Sequence, residues 1–275
     1  MKNKFLILGI IIISFMSLLA LLSPYLSPYS LNYQDLPHRF DLPNKSHLLG
    51  QNQYGGDILT HLLFGAKISL SIAITTTLIC CVFGMIFGTI AALGSSKIDS
   101  ILMRVVDIFL AFPGILLAIG ISSILEPAAH NVIFALCATG WTSYARLVRG
   151  QVLSLKEQDF VQSAKALGAS SKRVVLCHIW PNLMGALIVQ ASFGMAGVII
   201  AESALSFLGI GVGADSSSWG LMIDEARRYM THASRLHLLL PPLLAIMVTV
   251  LGFNFLGDGL LQKLDPRLEG MRYGN

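Results

Sequence analysis

"FLILGIIIISFMSLLALLS", residues Phe5 to Ser23, follows Met1-Lys2-Asn3-Lys4 and decides between two readings of the whole chain. A cleaved secretory signal has an apolar core of roughly 7–15 residues followed by a small-residue cleavage site. This run is longer, and "PYLSPYS" comes next rather than an A-x-A site. It reads as an uncleaved membrane span. Composition agrees. The 275 residues are 54% hydrophobic and 12% charged, where soluble domains carry roughly 25% charge. The net charge of +4 is small and forms no nucleic-acid patch.

About 20 apolar residues cross a bilayer core. Five more stretches meet that test, approximately 68–94, 108–125, 131–148, 183–208 and 238–260. The expected fold is therefore all-α and polytopic, with about six transmembrane helices. The expected divisions are an N-terminal span (1–23), an outer segment (24–67), a membrane core (68–264) and a tail (265–275). With the N-terminus inside, thirteen of the nineteen Lys and Arg fall on inner segments and six on outer ones. The positive-inside rule then places both termini, and the polar loop at about 156–180, in the cytoplasm.

Three connecting stretches have readable character. The outer segment, rich in proline, is irregular before a short helix over about 57–66. "IDSILMRVVDIF" (Ile98 to Phe109) is amphipathic, with Ile98, Leu102, Val105 and Phe109 on one face and Pro113 beyond; it lies along the inner surface. "SSWGLMIDEARRYM" (Ser217 to Met230) puts Trp219, Met222, Ile223, Ala226 and Tyr229 on one face of a half-buried outer helix.

The polar loop contains "FVQSAKALGASSKRVVLCHIWPN" (Phe160 to Asn182). Phe160, Ala164 and Leu167 recur at helical spacing and give a narrow apolar stripe. Gly168 suits the positive-φ turn past a helix end, Ser170 can cap a second helix, and Pro181 restarts the backbone at the membrane. So short a helix is marginal in water, and its stripe faces no evident core of its own. A partner protein is implied.

This loop resembles the cytoplasmic "EAA" loop of ATP-binding-cassette importer permeases, whose pattern is E-A-A-x3-G-x9-I-x-L-P. Gln162, Ser163 and Ala164 occupy the E-A-A places, Gly168 the glycine, His178 the isoleucine, Trp180 the leucine and Pro181 the proline. The spacing is intact and four of seven letters depart. Three further segments are similar to the C-type subunit of the dipeptide/oligopeptide/nickel permeases: "HLLGQNQYGGDILTHLLFGAKISL" (His47 to Leu70), "AESALSFLGIGVGADSSSWGLMI" (Ala201 to Ile223) and "FNFLGDGLLQKLDPRL" (Phe253 to Leu268). Gln51, Asn52 and Gly56 stand where that branch has Thr, Asp and Arg, and Gln262 and Lys263 where it has Arg and Asp.

The resemblance implies a type I importer permease fold in a bacterial inner membrane. This chain would form half of a pore with a homologous second permease. Two cytoplasmic ATPases would bind ATP and magnesium, and an extracytoplasmic solute-binding protein would deliver substrate. Phe160, Gln162, Ser163, Ala164, Leu167, Gly168, His178 and Pro181 would couple to an ATPase. The implied cargo is a small peptide, with glutathione and chelated nickel as alternatives.

Other candidates are fewer. Glu202 lies in the fifth apolar stretch, where a charge is costly and points to function; a structural or gating contact is expected there, with Trp219 and Asp258 beside it in role. A stand-alone proton-coupled transporter using Glu202 is the rival from another class, although the chain shows no second half and no further strongly intramembrane ionisable residue to complete a proton path. An intramembrane hydrolase lacks a nucleophile–base pair. No phosphate loop of the G-x4-G-K-[ST] type occurs, so the chain itself is expected to bind no ATP and no other cofactor. The seven histidines show no paired metal spacing, and Cys80, Cys81, Cys137 and Cys177 read as unpaired thiols.

Overall fold

The computed structural model describes residues 4–213, 216–230 and 235–264; the expected tail at 265–275, with most of the "LDPRL" ending, lies outside them. Those residues form an α-helical bundle. Four helices are long and apolar enough to cross a membrane: α1 (Lys4–Leu21), α3 (Ile58–Leu93), the helix running through Ser171–Phe207, and α11 (Leu236–Leu264). Between α1 and α3 lie a single turn, α2 (Ser23–Leu26), and an irregular segment with one 3-10 turn at Leu36–His38.

α3 corrects the expected short helix over 57–66. It starts at Ile58 and continues unbroken for 36 residues, about 54 Å at 1.5 Å per residue. The Asp57 carboxylate caps it, accepting from the Thr60 backbone N–H at 2.8 Å and the Thr60 hydroxyl at 2.8 Å, while its other oxygen meets His47 Nδ1 at 3.0 Å. No proline or turn signal interrupts the run, so helical hydrogen bonding continues from the cap into the apolar stretch.

The third expected span, 108–125, is also different. α4 (Ser96–Ala111) ends at Phe112–Pro113, the chain bends by 82°, and α5 (Gly114–Ile124) has only 11 residues. That is about 16 Å against a hydrocarbon core of roughly 30 Å. Pro113 has no N–H to continue the ladder and disfavours helix in the residue before it. α4 is also rotated from its expected face. Ile98 and Val105 are exposed, whereas Val106 is buried and Leu102 and Phe109 are partly so. The cause is α6 (Ala129–Leu155): Arg149 grips Asp99 with two hydrogen bonds of 2.6 Å, and Phe109 meets the Trp141 ring edge-on.

α6 is long enough to span at 27 residues but carries His130, Asn131, Arg146 and Arg149. It packs against α3 more extensively than any other helix pair does. Gly84 permits this: a Cβ there would collide with Tyr144 Cβ and come within 2.8 Å of Ala145 N. Small residues let membrane helices approach and gain dispersion contacts that lipid cannot replace. With α6 and the bent α4–α5 pair, the bundle has the roughly six-helix architecture expected. All four cysteines are free thiols.

Candidate functional site at the α7–α8 turn and along α9

α6 ends at Leu155. Lys156 continues its last turn, and Gln162 Nε2 donates to the Lys156 carbonyl at 2.7 Å. α7 (Asp159–Ala166) follows, with Asp159 in its first turn and Lys165 in its last, both favourable to the helix dipole. Gly168, at φ +83°, ends it. Its N–H reaches the Lys165 carbonyl at 2.9 Å, and the Ala169 N–H reaches Ala164 at 3.0 Å. This 5→2 and 6→1 pair is a Schellman motif, and it satisfies two otherwise orphaned carbonyls.

Ser170 then caps α8 (Ser171–Val174), accepting from the Arg173 N–H at 3.4 Å. The chain does not restart at Pro181. A π-helical turn at Val175–Ile179 passes directly into α9 (Trp180–Phe207). The wider turn carries the helix up to Pro181, where the missing N–H would interrupt an α ladder. Asn182 Nδ2 also bonds the His178 carbonyl at 2.6 Å.

Side-chain directions sort the predicted residues. Val161 and Ile179 are 0% exposed; with Val174 and Leu183 they join the Val148 and Val152 cluster on α6. Val161 is therefore the anchor of α7, and the sequence reading missed it because it sits one position off the assumed stripe. Of that stripe, Phe160 is 42% and Leu167 88% exposed, while Ala164 is half-buried. Gln162, Ser163, Gly168 and Pro181 are exposed and His178 is half-buried. Trp180 turns back to the bundle, its Nε1 donating to Thr89 Oγ1 at 3.1 Å. The α7–α8 turn is thus fixed from within by valines and presents a separate apolar surface outward.

Glu202 sits 24 residues after His178 on the same helical run, about 36 Å along its axis. It is fully buried. Ser69 donates to its Oε2 at 3.1 Å and Ser206 to its Oε1 at 2.8 Å. The Ser69 oxygen also receives the Trp219 backbone N–H at 3.4 Å, and Trp219 Nε1 donates to the Leu62 carbonyl at 3.1 Å. Trp219 opens α10 (Trp219–Arg227), capped by Ser218, which bonds the Leu221 N–H at 3.2 Å. The carboxylate therefore joins α3, α9 and α10. Its serine partners were not singled out from sequence, although "AESALSFLG" contains Ser206.

On α10, Trp219, Met222 and Ala226 are buried as expected. Asp224 is buried as well, gripped by Arg227 at 2.7 Å and Arg228 at 2.6 Å. Asp258 is not part of either cluster: it is exposed on α11 and makes no ion pair among the described residues.

The chain matches the family of binding-protein-dependent transport system inner membrane components over residues 84–270, and the N-terminal transmembrane domain of oligopeptide transport permease C over residues 1–46. It belongs to that family of transport permeases. Among its relatives is the dipeptide transport system permease protein DppC of Alkalihalophilus pseudofirmus, 38% identical over 98% of this chain and 88% of the relative. The oligopeptide transport system permease protein OppC of Bacillus subtilis is 36% identical, covering 97% and 87%. The glutathione transport system permease protein GsiD of Shigella dysenteriae is 38% identical, covering 91% and 82%.

Proposed function

We propose that this chain is a pore-forming permease subunit of an ATP-driven importer of small peptides. It pairs with a second, homologous permease in a bacterial inner membrane. The α7–α8 turn faces the cytoplasm, as do both termini, and rests on one of two ATPase subunits that bind ATP and magnesium. A solute-binding protein delivers peptide at the opposite end, near α10. The relatives named for dipeptide and oligopeptide transport support the cargo. Glutathione is itself a tripeptide, so the glutathione relative falls in the same substrate class.

The observation that carries this reading is the division of labour in α7. Val161 fastens it to α6 and α9, leaving Phe160 and Leu167 exposed beside a rigid glycine turn. A partner that moves α7 moves two long helices with it, which is how small displacements at packed elements become rigid-body motion. The hydrogen-bonded Glu202 supports a joint between helices over a proton relay.

The test is reconstitution. Cysteine placed at Ala164 should crosslink to an ATPase subunit when the complex is isolated from membranes, and dipeptide uptake should require ATP. A lone chain that imports peptide without ATP would overturn the proposal.

A further inference from the structure

A polar cavity of about 200 Å³ opens between the irregular segment after α2, the first turn of α3 and α10. It is far larger than the ~10–15 Å³ that one water requires. Its wall includes Tyr33, Asn52, Gly56, His61, Ser217 and Glu225. It lies on the α10 end of the molecule and is separate from the Glu202 cluster and the α7–α8 turn.

Two side chains there have unused bonding capacity. Asn52 is 8% exposed. Its Oδ1 is fully employed, accepting from the Tyr54 N–H at 2.9 Å and the Gly56 N–H at 2.8 Å. Its Nδ2 donates to no acceptor among the described residues, and the carboxamide stands close to Gly56 and His61: a Cβ at Gly56 would stand 3.0 Å from both Asn52 Nδ2 and His61 Nε2. The second is Glu225. Its neighbours Arg227 and Arg228 spend their short hydrogen bonds on Asp224. Glu225 forms no salt bridge among the described residues. Arg228 acts on it only from beyond ion-pair distance, so this half-buried carboxylate has no direct ion pair among the described residues, and an arriving cation supplies one.

We infer that this cavity binds an organic ammonium group adjacent to a carbonyl: the ammonium pairs with Glu225 and the carbonyl oxygen accepts from Asn52 Nδ2. Gly56 is the permissive position, because any side chain there narrows the space between Asn52 and His61. The amino end of a peptide has this chemistry, and so does an amino-terminal residue presented by a docking protein. The former source rests on the peptide-import reading; the cavity's own chemistry does not.

The full chain, purified with its partner subunits, is titrated calorimetrically with alanylalanine, N-acetyl-alanylalanine and propylamine. Saturable binding of the free dipeptide is expected, with at least a tenfold loss on acetylation and a weaker signal from propylamine, which lacks the carbonyl. Glu225→Gln should weaken the dipeptide at least tenfold. Gly56→Val, in a complex that still co-purifies, should abolish binding by filling the space. Equal affinity for the acetylated and free dipeptides, or no saturable binding to the intact wild-type complex, overturns the inference. The sources separate by adding the binding protein: competition between it and alanylalanine assigns the site to a docked amino terminus, whereas unimpeded joint binding assigns it to peptide. ATP-driven uptake is measured in parallel. Import without ammonium-dependent binding defeats this inference alone, whereas ammonium binding with no peptide import defeats the functional reading.

Discussion

Ser69 stands 133 positions before Glu202 in sequence, yet its hydroxyl donates to the Glu202 carboxylate at 3.1 Å inside the bundle. That one bond ties the N-terminal half of α3 to the last turns of α9, and the same oxygen receives α10 through the Trp219 N–H. Replacing Glu202 by Leu leaves two serine hydroxyls without their acceptor and should cost about 1–3 kcal/mol. Glu202→Gln keeps the shape and one oxygen, so the fold should survive while peptide uptake slows. Thermal unfolding in detergent and uptake in vesicles measure the two effects. Unchanged uptake in the Gln variant would remove any gating role.

The α7 helix and its C-cap offer a sharper contrast, between Val161 and Leu167. Leu167→Ser changes a side chain that is 88% exposed. It should leave stability within about 0.5 kcal/mol and still weaken recovery of the ATPase with the permease. Val161→Ala empties a fully buried site and should lower stability by about 1–3 kcal/mol through lost contacts and a cavity. Co-purification and unfolding curves of the two variants, taken together, separate docking from folding. The same loss of stability in both would mean that α7 has no free face.

Two helix-interior glycines should behave oppositely. Gly84→Ala pushes a methyl into Tyr144 and the Ala145 backbone, and overpacking of this kind costs about 1–3 kcal/mol. Gly150, on α6, has nothing within 4 Å of its would-be Cβ. Gly150→Ala should therefore be neutral or stabilising by up to about 1 kcal/mol through helix propensity. Comparing their unfolding temperatures in one detergent checks the close α3–α6 approach.

Glu225 sets a pH dependence with a definite sign. Burial pushes its carboxyl above the ordinary range and the neighbouring Asp224 adds to this, while the Gln53 hydrogen bond and Arg228 pull it back. The folded state thus holds the proton more tightly than the unfolded one. Its contribution to stability is fully present below the unfolded value of about 4.3 and is lost as pH rises through the folded value. The stability difference between wild type and Glu225→Gln should accordingly favour the variant increasingly as pH rises through that window. A difference independent of pH would place the carboxylate in water.

Much of this architecture was readable from residues alone, for identifiable reasons. The Gly168 stop and the Ser170 cap depend on local chemistry, and both appear where the sequence put them; the apolar runs give helices, but the run at 108–125 is bent by 82° at Pro113. The helix faces were harder. α4 turned because of Arg149, fifty residues away, and no period within α4 contains that information. Val161 outranked Phe160 as the anchor for a similar reason: which stripe is buried depends on the partner helix. The serine partners of Glu202 and the continuity of α8 into α9 also rest on contacts or ladders spanning separate segments, beyond any local signal.

The uninterrupted length of α3 has a mechanical consequence. Thr89, hydrogen-bonded to Trp180, and Ser69, hydrogen-bonded to Glu202, sit on one rod twenty positions apart, about 30 Å of rise. With no kink to absorb it, a tilt of a few degrees imposed at one of those latches becomes a displacement of ångströms at the other. Under the proposed function, a push at α7 then needs no chain of side-chain rearrangements to reach the Glu202 joint; the stiffness of α3 is enough to carry it.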